Sequence, residues 1–220
     1  MMQLIIANKN YSSWSMRSWV LLKAFDIPFE EKLLCYPAEQ KVGLFGQDTP
    51  TGKVPALIDD EFLIWDTLAI AEYLAEKYPE KNLWPVDFKQ RTRARCISAE
   101  MHSGFLNLRE RCGMNIRAHF QNVGAQLWKE HPKLHNDIAR IEKIWSDRPS
   151  VDGFLCGDFS IADAFYAPVV TRIQTYALPV SENTQCYMQS MLAHPAVKAW
   201  IDEALAETNK VEYYEIYQEN

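Results

Sequence analysis

The sequence predicts an N-terminal α/β domain of βαβ-ββα order, followed by an all-helical bundle domain. Three observations predict this fold class. Short apolar strand patterns occur before residue 66, a proline-bounded stretch without periodicity occupies residues 78–85, and the apolar residues beyond it recur at helical spacing. We therefore predict domains at residues 1–78 and 87–220, joined by a linker at residues 79–86.

The first predicted unit is a strand, a helix and a second strand. Residues 3–7 form a short apolar run, and residues 15–25 place apolar side chains at helical spacing. Asp26-Ile27-Pro28 ends this helix, because proline has no N–H for the helical ladder, and residues 29–34 follow as a strand. Such a β-α-β unit predicts a parallel strand pair with a right-handed crossover.

The second predicted unit is a hairpin followed by a helix. Residues 55–58 and 62–65 flank the acidic segment Asp59-Asp60-Glu61, which is typical of a tight hairpin turn. Residues 66–77 then carry apolar residues along one side of a helix. The order β-α-β and then β-β-α is that of a thioredoxin-like domain.

The remainder of the chain has helical patterns. Two sets of apolar residues recur at helical spacing, and each predicts one buried helix face: Ile97, Met101, Phe105 and Leu108, and then Leu134, Ile138, Ile141 and Trp145. Residues 121–130 are ambiguous, with an irregular connection as one interpretation. Ser160 with Asp163 three residues later forms a capping box, which predicts the start of a further helix and a structural role for Asp163.

Composition excludes several classes of protein. A content of 48% hydrophobic and 12% aromatic residues excludes a disordered chain, and a net charge of −6 argues against a nucleic-acid partner. No apolar stretch is long enough to span a membrane, and the N-terminus has no signal-peptide pattern. Five widely spaced cysteines without a C-x-x-C pair favour a reducing compartment over disulfides or a metal site, so we expect a cytoplasmic protein.

A binding site for a small peptide is predicted by residues 54–67. Pro55 opens a strand, and a cis Val54-Pro55 bond would turn the backbone of Val54 outward to pair with an extended peptide. A helix starting at Asp66-Thr67 offers free N–H groups to a carboxylate, beside an acid that can meet an amine. A zwitterionic peptide fits this combination.

Five segments resemble, in the same order, those of cytosolic glutathione transferases. They are Tyr11-Ser12-Ser13-Trp14-Ser15, Lys53-Val54-Pro55, Asp66-Thr67, Ala99-Glu100-Met101-His102-Ser103-Gly104-Phe105 and Phe159-Ser160-Ile161-Ala162-Asp163. The resemblance spans nearly the whole chain and is to bacterial, serine-type members. It implies a homodimeric enzyme that takes glutathione as co-substrate, uses no metal, and binds a small hydrophobic electrophile beside it.

The resemblance implies that one serine stabilises the glutathione thiolate. A free thiol has a pKa near ~8.5, so a donor hydroxyl and a helix N-terminus are needed to hold the anion at neutral pH. Theta and zeta enzymes place their sulfur-contacting serine at Ser12, whereas beta-class enzymes place their active cysteine at Ser15. We favour Ser12, keep Ser15 as the alternative, and expect Ser13 to contact glutathione. A simple N-cap role for Ser12 is the competing interpretation.

Further site residues follow from the same resemblance. Lys53 matches the position that neutralises the glycine carboxylate, Val54 and Pro55 match the peptide-pairing position, and Asp66 with Thr67 matches the family's Glu/Gln-Ser pair. His102 resembles the active-site histidine of beta-class enzymes, so we expect it near the thiol, as a second catalytic residue.

Two residues are predicted to line the electrophile pocket. Trp14 stands where zeta enzymes have a cysteine, and Arg172 lies one turn before Thr175, which occupies the position of their carboxylate-binding arginine. Arg172 either replaces that arginine or is an interface or core salt-bridge residue.

The predicted function is conjugation of glutathione to small electrophiles in detoxification, with glutathione peroxidase activity as a second activity. One alternative is a glutathione-dependent cis-trans isomerase of the maleylacetoacetate type. Another is a non-catalytic interaction protein with the same fold. The intact residues Val54, Pro55, Asp66 and Thr67 argue against that last alternative, because a pure scaffold need not keep a ligand site.

Overall fold

A computed structural model describes residues 1–36 and 45–217. Its four-stranded sheet has the order β2-β1-β3-β4. The strands are β1 (Gln3–Ala7), β2 (Glu30–Leu34), β3 (Ala56–Asp59) and β4 (Phe62–Trp65). Strand β1 is parallel to β2, antiparallel pairs join β1 to β3 and β3 to β4, and the predicted β-α-β and hairpin units are both confirmed.

Nine α-helices occur among the described residues, and the first two of them pack against the sheet. They are α1 (Ser13–Ala24), α2 (Thr67–Lys77), α3 (Phe88–Ser103), α4 (Leu106–Arg111), α5 (Gln121–Glu130), α6 (Pro132–Ser146), α7 (Ile161–Tyr176), α8 (Glu182–Ala193) and α9 (Pro195–Ala206). Short 3₁₀ turns occupy Pro79–Lys81 and Glu212–Tyr214. The fold is therefore the predicted thioredoxin-like α/β part followed by a helical part.

Helix α7 is the centre of the apolar core. Every residue of α7 except Gln174 is buried, and the helix packs against α1 and α3. Trp19 of α1 and Trp200 of α9 meet edge to face at 5.4 Å between ring centroids. The core is thus continuous between the two parts, and the linker at residues 79–86 stays a prediction.

The predicted helix through Ile97 and Leu108 is interrupted. Helix α3 ends at Ser103, and α4 begins at Leu106 after Phe105 adopts a left-handed φ of 59°. A Cβ on Gly104 would lie 2.7 Å from the carbonyl oxygen of Glu100, so glycine permits the close turn there. The apolar residues on both sides of the break still reach the core, which is why their spacing resembled one helix.

Residues 121–130 form a regular helix, so an irregular connection was the wrong interpretation. Gly124, which weakens the helical pattern, faces the backbone of Tyr176, where an added Cβ would lie 1.7 Å from its carbonyl oxygen. The glycine therefore allows α5 to approach α7 closely.

The predicted capping box at the start of α7 is confirmed. The N–H of Ser160 donates to Asp163 Oδ2 at 3.0 Å, and the Leu155 N–H and Tyr187 hydroxyl donate to Oδ1 at 2.9 and 3.0 Å. Burial raises the pKa of Asp163 to about 6, although these hydrogen bonds by themselves would lower it.

Among the described helices, none is both long and apolar enough to cross a membrane.

Candidate functional site

A cavity of about 760 Å³ lies beside the edge of the sheet where β3 begins and β4 ends. It brings together seven residues that the sequence predicted as site residues: Trp14, Lys53, Val54, Pro55, Asp66, Thr67 and His102. Its other walls include Thr51, Gly52 and the aromatic residues Tyr36, Phe45, Trp65 and Tyr214. The cavity therefore has polar groups along one side and aromatic rings around them.

The peptide-binding features predicted around Val54 and Asp66 are present. The Val54-Pro55 bond is cis, and Val54 precedes β3, so it lies outside the strand ladder. Asp66 is the N-cap of α2, and its Oδ1 accepts the N–H of Leu68 at 2.8 Å. The start of α2 opens into the cavity, with the positive end of the helix dipole beside a half-exposed carboxylate.

His102 of α3 contacts this same helix start. Its Nε2 lies 3.2 Å from Asp66 Oδ2, and its Nδ1 lies 3.5 Å from the hydroxyl of Thr67. The imidazole also meets the Trp14 ring edge to face at 5.3 Å. The structure therefore places His102 at the Asp66-Thr67 end of the cavity, with Trp14 as its contact toward the serine segment.

The three serines lie behind the cavity wall. Ser12 is the N-cap of α1; its hydroxyl donates to Ser15 Oγ at 2.7 Å and accepts the Ser15 N–H at 3.4 Å. Ser15 is fully buried and accepts the N–H of Ala7 at 3.2 Å. Ser13 accepts a hydrogen bond from Arg172 at 3.0 Å. None of the three is among the residues that line the cavity; Ser12 does cap α1, and its contact with a thiol stays a prediction.

Tyr36 lines the cavity and is hydrogen-bonded to Ser12. Burial raises the pKa of Tyr36, while hydrogen bonds to Ser12 and Tyr214 act in the opposite direction. The Tyr36 and Tyr214 rings lie 5.0 Å apart. Sequence reasoning missed Tyr36, although its place just after a parallel strand is a common location for ligand-binding residues.

The segment containing Tyr214 covers the serine end of the cavity. Tyr214 stacks on Tyr11 at 5.3 Å, and the Tyr11 hydroxyl donates to Glu215 Oε1 at 2.5 Å. The Val211 N–H donates to that hydroxyl at 3.3 Å. No periodicity in the sequence predicted this contact, because it joins segments about 200 residues apart.

Arg172 lies elsewhere than predicted. It is 7% exposed and is not among the residues that line the cavity. Its guanidinium donates to Ser13 and to the carbonyl oxygens of Arg109 and Cys112. Arg172 is therefore a core residue, but its partners are a hydroxyl and carbonyl oxygens and not the carboxylate of the expected salt bridge. These bonds tie the first turn of α1 to the end of α4.

Trp14 lines the cavity and has cationic neighbours that the sequence did not reveal. The Arg17 and Arg109 guanidinium carbons lie 4.2 and 4.9 Å from its ring centroid. No group of three or more metal-ligating side chains occurs among the described residues, and burial raises the pKa of the Cys112 thiol to about 12.

Comparison with known proteins identifies relatives of both parts. The family models described as "Glutathione S-transferase, N-terminal domain" and "Glutathione S-transferase, C-terminal domain" match residues 11–77 and 115–203, well over half of the chain together. Glutathione S-transferase 1 of Dianthus caryophyllus is 26% identical over 184 residues, which is 82% of this chain and 81% of that protein.

Two further matches bear on chemistry. A Caenorhabditis elegans protein named "Probable maleylacetoacetate isomerase" is 36% identical over 92 residues, 42% of each chain. The crystal structure of a glutathione transferase homologue from Burkholderia, with bound glutathione, has a TM-score of 0.66 at 25% identity and covers 94% of this chain and 99% of that one.

Proposed function

Because the chain belongs to the glutathione S-transferase family, we propose that it binds glutathione in the cavity and joins the thiol sulfur to small electrophiles. The observation that carries this proposal is the convergence of Lys53, cis-Pro55 and the Asp66-Thr67 helix start on one cavity. These groups match the three polar regions of an extended glutathione molecule.

The proposed binding mode assigns one protein group to each region of glutathione. The backbone of Val54 pairs with the central cysteine, and exposed Lys53 neutralises the glycine carboxylate. The γ-glutamyl carboxylate meets the N–H groups at the start of α2, while Asp66 meets the amine. Asp66 is one methylene shorter than the glutamate of related enzymes, so a bridging water completes this contact.

The proposed chemistry uses the hydroxyl of Ser12. This hydroxyl turns from Ser15 toward the sulfur, where a charge-assisted hydrogen bond stabilises the thiolate. The thiolate attacks an electrophilic carbon, a C–S bond forms, and the leaving group departs with its electron pair. Trp14 and the other aromatic walls favour an apolar acceptor. Peroxides are a second acceptor class, with two glutathione molecules oxidised to a disulfide.

A test of this chemistry compares Ser12→Ala with Ser15→Ala. We expect Ser12→Ala to lower kcat for conjugation of a chloro-dinitroarene by about 10²-fold, the effect of losing one donor to a developing anion. Ser15→Ala should lower it less, because Ser15 is fully buried and acts only by accepting the hydrogen bond of the Ser12 hydroxyl. If only Ser15→Ala lowers kcat, Ser15 is the donor instead.

The isomerase alternative receives less support. Its support is the relative that matches 42% of the chain. Against it, Trp14 stands at the cysteine position, and Thr175 at the arginine position is buried and donates to the carbonyl of Asn115 at 3.0 Å. We expect weak or absent maleylacetoacetate isomerase activity, and turnover equal to the best conjugation rate would reverse this ranking.

A homodimer is proposed from an exposed apolar face on β4 and α2. Phe62 and Trp65 are 61% and 48% exposed there, beside Leu68 and Tyr73. Aromatic residues at this exposure are unusual on a monomeric surface when they lie together. Light scattering should give a dimer mass for the wild type and a monomer mass for Phe62→Glu; a monomeric wild type would refute the proposal.

We propose a cytoplasmic, detoxifying role for the protein. All five cysteines are free thiols, as expected of a reducing compartment. Fractionation of cells producing the full chain would contradict this location if the protein were recovered outside the cytoplasm.

A further inference from the structure

Three arginines lie together behind Trp14, and we call Arg17, Arg109 and Arg172 the buried arginine cluster. Arg17 and Arg172 are 1% and 7% exposed, and Arg109 is half-buried. Burial lowers the pKa of Arg17, and the charges of Arg109 and Arg172 lower it further. A guanidinium still stays protonated near neutral pH, so the cluster places positive charge in the protein interior.

The members of this cluster differ in their hydrogen bonds. Arg109 donates to the carbonyl oxygens at the end of α3, and Arg172 donates to carbonyl oxygens and to Ser13. Nε and Nη1 of Arg17 are buried without any hydrogen-bond partner, although its guanidinium stacks over Trp14 at 4.2 Å and Phe165 at 5.2 Å. Arg17 is therefore the member whose donors remain unused.

No carboxylate among the described residues forms an ion pair with any member of the cluster. The groups that favour charged Arg17 are Tyr166 and, more weakly, Asp66, neither of which is in salt-bridge contact with it. A buried charge costs free energy unless it is paired, so uncompensated cations in an interior indicate that an anion arrives with a ligand. Trp14, which stacks on Arg17, is a wall of the cavity, so the charge lies directly behind that wall.

We propose that the buried arginine cluster, acting mainly through Arg17, supplies the positive charge that stabilises the thiolate of bound glutathione. The inference rests on the proposed function. The charge of the cluster adds to the hydrogen bond proposed from Ser12, since Ser13 and Ser15 are engaged with Arg172 and with the N–H of Ala7. Arg17 does not touch the ligand, so it acts by its electric field through Trp14.

Other charged groups face the same region and must be separated from this effect. Arg109 reaches it from α4, Arg172 and Tyr166 from α7, Asp66 from the start of α2, and His102 from α3 across the Trp14 ring. Imidazole groups in general can exchange a proton in the pH range in which a thiol is followed. Measurements in a His102→Gln background therefore isolate the titration of the thiol.

The test follows the thiolate absorbance of glutathione bound to the purified protein as a function of pH. We expect Arg17→Met to raise the pKa of the bound thiol by about one unit, which is a tenfold loss of thiolate below both pKa values. Arg93→Met is the control for the loss of a partly buried arginine, since Arg93 donates to the carbonyl oxygens of Leu155 and Ile144 and, unlike Arg17, does not stack on Trp14.

An unchanged thiol pKa in folded, glutathione-binding Arg17→Met would overturn the inference. Thermal melts and calorimetry establish folding and binding for each variant first. If Arg17→Met does not fold, Arg109→Gln takes its place, with a smaller rise expected and no rise as the contradicting result. If wild type binds no glutathione, the proposed function fails together with this inference, whereas intact binding with an unchanged pKa refutes the arginine role alone.

Discussion

Helices α2 and α7 both begin with an aspartate in the first turn or its cap, and the two aspartates have opposite surroundings. The side chain of Asp66 is 46% exposed, lines the cavity and has His102 as its side-chain neighbour. Asp163 is fully buried and accepts hydrogen bonds from Leu155, Ser160 and Tyr187. The Asp66 carboxylate can therefore accept further hydrogen bonds from a ligand, whereas the Asp163 carboxylate is occupied by hydrogen bonds that stabilise the fold.

This difference shows how a shared local signal acquires two roles. An acid at a helix start satisfies otherwise unpaired N–H groups in either case. What distinguishes the two is the surrounding protein: the segment before α7 folds over Asp163, whereas the cavity leaves Asp66 open. Stability and ligand affinity should therefore separate cleanly between variants of the two residues.

The largest expected effect is on the stability of Asp163→Ala. Removing this carboxylate leaves several buried donors unpaired, at about 1–3 kcal/mol each, so the free energy of unfolding should fall by about 3–5 kcal/mol. Urea unfolding measures this change. Asp87→Ala is the matched control, because Asp87 caps α3 by accepting the Gln90 N–H at 2.9 Å but is exposed, and its loss should cost only about 1 kcal/mol.

Glutathione affinity is the measurement that could contradict a purely structural role for Asp163. The folded fraction of Asp163→Ala should bind glutathione as the wild type does. A variant that unfolds like the wild type but loses glutathione would place Asp163 in the binding site.

The next effect is the pH dependence of stability that Asp163 causes. Because burial raises its folded pKa to about 6 from an unfolded value near ~3.9, its stabilising contribution is complete below about pH 4 and is lost as pH rises through about 6. The loss should be on the order of 2 kcal/mol. Unfolding of wild type and Asp163→Asn between pH 4 and 8 tests this, and the stability difference between them should shrink as pH rises. A difference that grows with pH would contradict the raised pKa.

The smallest effect concerns His102. Its contacts are with Asp66 and Thr67, so His102→Gln should weaken glutathione binding by only about 0.5–1 kcal/mol and leave kcat at saturating glutathione nearly unchanged. Steady-state kinetics with varied glutathione separates KM from kcat. A fall in kcat of more than 10²-fold would restore the catalytic role that the sequence suggested.

The parts of the site that the sequence predicted are those that local signals encode. A proline before a strand, an aspartate at a helix start and a lysine beside them are readable from neighbouring residues, and all of these residues line the cavity. His102 was found through its motif, but its contact with Asp66 depends on how α3 packs against α2.

The parts that the sequence did not predict depend on tertiary contacts. The rings of Tyr36 and Tyr214 are in contact although the two residues are distant in the chain. In the sequence, Arg17 interrupts the apolar pattern of a helix, and only the structure shows that its guanidinium stacks on Trp14. The helix predictions were wrong around Gly104, where one predicted helix is two, and around Gly124, which lies within a regular helix. Each glycine permits a close backbone approach that only the folded chain reveals.

The central claim, that the open helix start at Asp66 binds glutathione, is tested most directly by calorimetric titration of glutathione into wild type, Asp66→Ala and Asp87→Ala. Both variants lose a helix N-cap, but only Asp66 faces the cavity. We predict that Asp66→Ala weakens binding by about 1.5–3 kcal/mol, roughly 10- to 100-fold in Kd, while Asp87→Ala binds like the wild type. Equal affinities for wild type and Asp66→Ala, or no binding by wild type, would contradict the claim.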